Sequence, residues 1–378
     1  MKTCQSVYHH GQWHPELTPM TTANLVFVFG DRGLIKQADI QAQLKEAFPK
    51  AHRIGCTTSG EINGMDIYDE SVCVTAMEFE SASVDVVRGN INESDSVEHL
   101  AARLAISLKH DNLRHVLVIS DGQLINGTAL VTGLEAVLPD GVPVTGGLAG
   151  DGTAFTETEV WHNEHIEPGL VVLIGFYGAD LVMSHGSLGG WDAFGPERLI
   201  TSSDGNVLHT LDNKPALELY KTYLGEHAEE LPSSALLYPL KLQLPGDDNV
   251  VRTILNINED NQSMTFAGDV PEGSYVQLMK ANFERLIDGA QGAAEQALVD
   301  VANDNLGGVV LMISCVGRRL VLKQRTEEEL EAVHEIFGDN WAYTGFYSYG
   351  EISPLVSSEY CALHNQTMTI TTISELNA

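Results

Sequence analysis

The segment HRIGCTTSGEI, at residues 52–62, indicates the fold together with the segments on either side of it. Before it come the apolar segment LVFVF (25–29) and an amphipathic segment (39–48) that places Ile40, Leu44 and Phe48 on one helical face. After it comes SVCVTAMEF (71–79), in which residues alternate as they do along a strand. These periodicities predict a strand, a helix, a turn rich in small residues and a second strand.

The same order of segments occurs twice more. The second copy comprises HVLVIS (115–120), a helix over 129–138, VPVTGGLAGDG (142–152) and GLVVLIGFY (169–177). The third comprises GVVLMIS (308–314), a helix over 327–337, WAYTGFYSYGEI (341–352) and TMTITTI (367–373), so that YGEI matches the SGEI of the first turn. Helices at this spacing after apolar strands favour βαβ crossovers. The sequence therefore predicts an α/β fold with mixed sheets, in two domains built from repeated strand–helix–turn–strand units.

A different stretch separates the second copy from the third. It contains D-G-N (204–206) between two apolar runs, which is typical of a hairpin, and a pattern that predicts a long helix over 274–298, broken near Gly289 and Gly292. Residues 1–22 are polar and predict a mobile terminus. We expect one domain over residues 23–179 and another over residues 180–378.

Charge and composition exclude two classes of function. The 378 residues carry 52 acidic and 21 basic side chains, a formal net charge of −31, which disfavours nonspecific binding to nucleic acid or to an anionic membrane. No apolar run reaches the roughly 18 residues of a membrane helix, and the first residues do not resemble a signal peptide. Five cysteines without zinc spacing favour a reducing compartment. We expect a cytoplasmic protein.

The first turn is a candidate binding loop because its residues are small and polar. Backbone amides and hydroxyls there can face a ligand, and a cysteine can act as a nucleophile if a base lies near. The alternative is a tight turn whose small residues pack under a helix. The candidate residues are Cys56, Thr57, Thr58, Gly60 and Glu61, together with Gly146 and Gly147 of the second turn, whose spacing does not fit a dinucleotide fingerprint.

The end of the third apolar strand is a second candidate, since ligands of open α/β sheets bind beyond the carboxyl ends of strands. Cys315, Arg318 and Arg319 lie there, and an arginine suits a carboxylate or a propionate. The alternative is an ion pair with the acidic residues at 327–329. A third candidate pocket would be lined by Tyr347, Tyr349, Glu351, His364 and Asn365.

Several of these segments also resemble the motifs of a known protein family. RIGCTTSGEI (53–62), GGLAGDG (146–152), GGWDAFGPERLIT (189–201), ISCVGRRLVL (313–322), GFYSYGEISP (345–354) and LHNQTMTITT (363–372) occur in the order typical of the FIST family. The chain resembles a stand-alone bacterial sensory form, with the N-terminal FIST domain over 23–179 and the C-terminal FIST domain over 180–378.

The resemblance implies a non-catalytic sensor of a small ligand. The chain is similar to haem FIST proteins that sense nitric oxide and regulate a partner histidine kinase. This similarity implies haem b as the cofactor, a diatomic gas as the ligand and a sensor histidine kinase as the partner. His364 is then the first choice as iron ligand and His185 the second, with Arg318 or Arg319 binding a propionate.

Three alternatives stay open. The first is a sensor of an amino acid or another small metabolite without haem. The second is an enzyme with Cys56 or Cys315 as nucleophile and Glu61, Glu351 or His364 as base. The third is an interaction scaffold without a ligand. Formation of a homodimer is also left open.

Overall fold

The computed structural model describes residues 1–231, 233–244, 248–299, 307–355 and 360–376. The terminal segment and the first repeat unit comprise β1 (Lys2–His9), β2 (Gln12–His14), β3 (Leu25–Gly30), α1 (Arg32–Ile35), α2 (Ala38–Ala47), β4 (His52–Thr57), β5 (Glu61–Asn63), β6 (Asp66–Tyr68) and β7 (Val72–Glu78). The second unit comprises β8 (Ser83–Asn90), α3 (Val97–Ser107), β9 (Leu113–Ser120), α4 (Gly127–Glu135), β10 (Val144–Leu148), β11 (Val160–His162), β12 (His165–Glu167) and β13 (Leu170–Tyr177).

The third unit begins with β14 (Leu181–Leu188) and is then interrupted by an inserted region. That region comprises β15 (Asp192–Asp204), β16 (Val207–Leu211), β17 (Lys214–Pro215), α5 (Ala216–Leu224), β18 (Leu240–Gln243), β19 (Asn249–Arg252), β20 (Ile254–Asn258), β21 (Ser263–Phe266) and β22 (Tyr275–Lys280). The unit resumes with α6 (Phe283–Leu298), β23 (Gly308–Cys315), α7 (Val316–Leu322), α8 (Glu327–Phe337), β24 (Trp341–Ser348), β25 (Gly350–Pro354), β26 (Cys361–His364) and β27 (Met368–Glu375). Short 3₁₀ helices lie at Ile91–Glu93, Gly225–Glu230, Ser233–Leu237 and Lys323–Arg325.

Each unit builds one mixed sheet on the same plan. The orders are β12-β11-β4-β3-β7-β1-β2, β26-β25-β10-β9-β13-β8 and β14-β27-β23-β24-β5-β6. In each sheet the two strands that flank the helix are parallel, and the closing strand runs antiparallel to the first of them. The predicted α/β fold with mixed sheets is therefore confirmed.

The three units exchange hairpins. The hairpin β5–β6 of the first unit pairs with β24 of the third, β25–β26 of the third pairs with β10 of the second, and β11–β12 of the second pairs with β4 of the first. The exchange closes a ring, so no unit has a complete sheet by itself. The turn that precedes each hairpin lies where two units meet.

One glycine in each unit lies where the two parallel strands come closest. A Cβ at Gly55, Gly146 or Gly345 would lie 1.6–1.9 Å from a backbone carbonyl oxygen of the neighbouring strand. No side chain fits such a gap, so these glycines are required by packing. The same holds for Gly147, predicted as a ligand residue, where a Cβ would lie 2.6 Å from a methyl carbon of Ile313.

The core has two layers. The inner faces of the three sheets share one apolar cluster, which includes Phe29, Ile119 and Phe346, while the helices cover the outer faces in three further clusters. The inserted region has its own core of buried residues from β16, α5 and β18 to β22. It also contains the hairpin predicted at D-G-N, formed by β15 and β16.

Two sequence predictions need correction. Residues 1–22 are not a mobile terminus, because β1 pairs with β7 from Lys2 to Tyr8 and covers an edge of the first sheet, where Ser6 and Val7 are buried. The long broken helix predicted over 274–298 is strand β22 followed by the continuous α6. Gly289 lies inside α6, where a Cβ would meet the backbone of Gly189 at 2.9 Å, so it permits close packing and does not break the helix.

Among the described residues no helix is long and apolar enough to span a membrane. The predicted domain boundary at residue 179 falls between β13 and β14, which close the second unit and open the third.

Candidate functional site

A cleft lies between the ring of three units and the inserted region. Its inner part, here called the inner cleft, has a volume of about 310 Å³. The second unit contributes Gly122, Gln123, Leu124, Ile125, Asn126, Leu148 and Phe155 to the wall. The third unit contributes Cys315, Val316, Gly317 and Tyr349, and the inserted region contributes Asn206, Leu236, Thr253, Leu255, Phe266 and Ala267.

The inner cleft opens into a wider outer groove of about 820 Å³, which shares Phe155 and Leu255 with it. The outer groove continues past Lys323 to a shallow depression beside Ser59 and Arg319. Arg319 does not extend freely into that depression, because its guanidinium binds the Asp69 carboxylate at 2.8 and 2.6 Å and the Ser59 carbonyl at 2.6 Å. This arrangement links the first unit to the third.

Tyr349 and a loop of the second unit form one wall of the inner cleft. The Tyr349 hydroxyl donates to the Asp151 carboxylate, and its ring stacks on Phe155 with centroids 4.6 Å apart. Asp151 also accepts backbone N–H groups of Phe155, Thr156 and Glu157 at 2.8–2.9 Å, which fixes the loop around it. Hydrogen bonding holds the pKa of the Asp151 carboxyl below its usual value although burial opposes this. The wall is therefore ordered by one carboxylate.

The described residues that line the inner cleft have no side chain that is charged at neutral pH. Burial raises the pKa of the Cys315 thiol, and burial together with the bond to Asp151 raises the pKa of the Tyr349 hydroxyl. Both groups stay neutral. Apolar side chains such as Leu148, Leu236 and Phe266 cover much of the remaining wall.

One polar group of the cleft wall has no partner. Thr253 follows β19 and is 5% exposed, and its hydroxyl oxygen is buried without a hydrogen bond in the structure. An unpaired buried hydroxyl costs on the order of 1–3 kcal/mol, so such groups are rare unless a ligand or water satisfies them. Thr253 therefore makes the inner cleft a candidate binding site.

Residues 24–214 match the FIST N domain and residues 216–354 match the FIST C domain. The chain belongs to the FIST family. FIST domains are generally sensory domains that bind small ligands, and the family is not one of enzymes. The two FIST segments meet at the start of α5, so the inner cleft has residues of both.

An uncharacterized protein of Methanocaldococcus jannaschii is 23% identical to this FIST protein over 320 residues, covering 76% of this chain. This chain spans 59% of the length of that relative. A crystal structure of cyanuric acid hydrolase from A. caulinodans superposes with a TM-score of 0.37 at 8% identity, over 94% of this chain and 91% of that chain. A likeness of that size assigns neither an activity nor a site to the FIST protein.

The first predicted loop is buried and does not line the inner cleft. Glu61 is 2% exposed, and its two carboxyl oxygens bind the hydroxyls of Thr58 at 2.5 Å and Ser71 at 2.7 Å. Burial raises the pKa of this carboxyl to about 8. Glu61 is therefore mostly protonated at neutral pH and supports the turn. Cys56 and Thr57 are fully buried beside it, and Gly60 keeps a positive φ of 125° against Arg319.

Glu351 repeats this arrangement in the third unit. Its carboxyl binds the hydroxyls of Ser348 at 2.6 Å and Thr367 at 3.0 Å, and burial raises its pKa to about 8 as well. In the second unit all three positions are apolar. The strand register places Ala149 at the position of the first hydroxyl (Thr58 and Ser348) and Val160 at that of the carboxyl (Glu61 and Glu351). Leu170 takes the position of the second hydroxyl (Ser71 and Thr367).

Arg318 is a buried structural residue. Its guanidinium binds the Glu329 carboxylate at 2.8 and 3.1 Å and the carbonyl oxygens of Gly189 and Leu286. Glu329 also accepts the hydroxyl of Tyr347 at 2.8 Å. The alternative of an ion pair with the acidic helix is therefore correct for Arg318, but the pair is in the core. The donors of Arg318 and the hydroxyl of Tyr347 are used there, and both side chains are fully buried in the structure.

The two predicted haem ligands lie apart from the inner cleft. His364 is buried in β26 with Nε2 3.0 Å from the Ser353 carbonyl, and burial lowers its pKa to about 4. His185 lies in β14, paired with Thr371 of β27, and its ring is 6.3 Å from that of His115. In the described part of the chain no three His, Cys, Asp or Glu side chains are grouped to hold a metal ion.

Of the predicted site residues, Cys315 and Tyr349 line the inner cleft. Asn365 lies close behind its wall. Thr253 and Phe155 were not among the residues predicted from the sequence. The only signal for Phe155 was the length of the second turn, and Thr253 comes from the inserted region, which has no counterpart in the other units. The enzyme alternative loses support, because burial raises the pKa of the Cys56 thiol, as it does that of Cys315.

Proposed function

We propose that this FIST protein is a sensory protein that binds a small metabolite without haem in the inner cleft. The buried, unpartnered hydroxyl of Thr253, a residue in the wall of a cleft bordered by both FIST segments, carries the proposal. Concave apolar sites with a few polar groups are the usual sites of small ligands.

Ligand binding can signal by changing the position of the inserted region. On one side of the cleft, Asn126 donates to the Asp269 carboxylate at 2.9 Å and Arg252 donates to the Leu363 carbonyl at 2.9 Å. On another side, a small cluster around Trp191 joins β22 to α6 and α7. In this proposal, breaking these contacts gives a second arrangement with a different cleft width, and a ligand shifts the two populations only if it binds one arrangement more tightly.

A protein partner would detect the shift. The formal net charge of −31 suits docking on a basic surface, and a sensor histidine kinase is the partner that the family resemblance favours. Complex formation with such a kinase should weaken as ionic strength rises.

Native mass spectrometry and thermal shift with a metabolite library test the proposal. Leu255→Trp places a large ring in the cleft, and Leu255 is 46% exposed, so the substitution should leave the fold intact. Ile106→Trp, on the outer face of α3 at 67% exposure, is the matched control. A ligand that stabilises the wild type and Ile106→Trp but not Leu255→Trp is the expected result. No bound small molecule and no shift with any metabolite would support a scaffold without a ligand.

The haem proposal has less structural support. Haem b would need an accessible histidine beside a large cavity, and His364 has its Nε2 on the Ser353 carbonyl, while neither His364 nor His185 lines the clefts described above. The residues described here do not fit haem. An absorption spectrum after haem reconstitution tests this: a Soret band that His364→Ala weakens would establish haem binding, and with it the case for nitric oxide as the signal.

A further inference from the structure

Two carboxamides lie directly behind the wall of the inner cleft, and both lack partners. Asn365 and Gln366 connect β26 to β27, and each is fully buried. The amide nitrogen and the amide oxygen of both side chains have no hydrogen bond in the structure. Four such atoms in adjacent residues are unusual, because nearly all buried polar atoms in proteins are paired.

The position of these amides connects them to the inner cleft. A Cβ at Gly317, a wall residue, would lie 2.4 Å from Gln366 Nε2, so the amide packs directly on that glycine. A Cβ at Gly350 would lie 3.6 Å from Asn365 Nδ2 and 3.4 Å from Leu148, another wall residue. Recognition of a ligand by these amides therefore requires the two side chains to turn toward the inner cleft.

From this we infer that the ligand of the inner cleft is an uncharged molecule with an amide-like edge, such as an amide, a lactam or a ureide. The inference rests on the proposed function. A carboxamide supplies two donors and one acceptor, and a hydroxyl supplies both, so these groups complement a ligand edge that also carries both. The apolar wall of Leu124, Leu236 and Phe266 suits the rest of such a molecule.

Charge argues against the other ligand classes. An anion would enter a protein with a net charge of −31 and find no cationic side chain among the described residues of the wall. Arg252, a buried cation next to the wall residue Thr253, donates to the carbonyl oxygens of Val251, Asp269 and Leu363. A cation or a zwitterion would lose its hydration without gaining a charged partner.

Binding of matched probes tests the inference. Nicotinamide and benzamide are compared with nicotinate and benzoate, and L-glutamine serves as a zwitterion that also carries an amide. Affinities for the full chain are measured by calorimetry or ligand-observed NMR, with Leu255→Trp defining what binds in the cleft. We expect at least one uncharged amide to bind at least tenfold more tightly than its carboxylate.

Gln366→Gly removes one carboxamide. Gln366 has a positive φ of 63°, which glycine adopts readily, so the variant should fold. Gln262→Gly is the matched control, because Gln262 has a similar φ of 56° and lies in the β20–β21 turn, away from the cleft. Amide affinity should fall about tenfold or more in Gln366→Gly and stay unchanged in Gln262→Gly.

Each other outcome overturns the inference in a distinct way. If carboxylates or L-glutamine bind at least as tightly as the amides, and Leu255→Trp abolishes their binding, the ligand class is wrong while the proposed function stands. If Gln366→Gly binds amides as tightly as Gln262→Gly does, the carboxamides hydrogen-bond to water only and do not recognise the ligand. If Leu255→Trp alters the binding of no probe and of no library metabolite, both the inference and the proposed function fail.

Discussion

Glu61→Gln should make the protein more stable, and increasingly so as the pH rises. The Glu61 carboxyl is 2% exposed and binds two hydroxyls, those of Thr58 and Ser71. Its protonated form can donate to one hydroxyl and accept from the other. Glutamine has nearly the same shape and can likewise donate to one hydroxyl and accept from the other, so it should replace the protonated acid at the cost of one additional N–H donor.

The magnitude follows from the pKa. In the folded protein burial raises the pKa of Glu61 from 4.5 to about 8. Because the folded pKa is the higher one, the stabilising contribution is complete below pH 4.5 and is lost as the pH rises through 8. At about 1.36 kcal/mol per unit of pKa, the wild type loses roughly 2 kcal/mol by pH 6 and roughly 5 kcal/mol by pH 9. Glutamine does not titrate and loses nothing.

Urea unfolding at pH 6, 7, 8 and 9 measures the effect through the extrapolated free energy of unfolding. The difference between Glu61→Gln and the wild type should grow by about 2.5 kcal/mol between pH 6 and pH 9. Glu46→Gln, exposed on α2 of the same unit, should leave the wild-type pH profile unchanged. A difference that stays constant within about 0.5 kcal/mol across this range would refute the burial argument.

Three further substitutions test other contacts. Thr253→Val should raise the free energy of unfolding by about 1 kcal/mol, because it removes an unpaired buried hydroxyl, and should weaken ligand binding in the same calorimetric assay. Arg318→Met should cost about 3–5 kcal/mol in urea unfolding, since the Glu329 carboxylate is left buried without its cation, and Glu329→Leu in the same chain should restore part of the loss. Tyr349→Phe should speed hydrogen exchange of the loop around Asp151 and leave exchange in α2 unchanged.

The repeat and its strands were predictable because hydrophobic periodicity is a local property of the sequence. The hairpin exchange was not, since the residues of β5 pair with residues of β24 that follow more than 280 positions later, and no short-range pattern encodes that partner. The first strand was not predicted, because the polarity of residues 2–6 suggested a free terminus. These residues belong to β1, which pairs with β7 along its length and with β2 only at its last residues.

The candidate site was predictable only in part. The small-residue turns were recognised, but their glycines and carboxyls are required by packing, and the sequence does not distinguish a buried Glu61 from one that faces a ligand. Tyr349 was identified from its turn. Thr253 could not be identified, because what marks it is an absent hydrogen bond in the folded protein.

The inner cleft lies where the threefold repeat is least regular. Two residues separate Thr58 from Glu61, whereas ten separate Ala149 from the equivalent Val160. In the first unit the hydrogen bond between the hydroxyl and the carboxyl fixes a short turn. The second unit has apolar residues at these positions, so no such bond limits the length of its loop. That loop supplies Phe155 and the carboxylate that orders it, and both belong to the wall beside Tyr349. The unit without a buried carboxyl is thus the one whose longer loop supplies this wall of the proposed binding site, whereas in the other two units the carboxyl holds the turn.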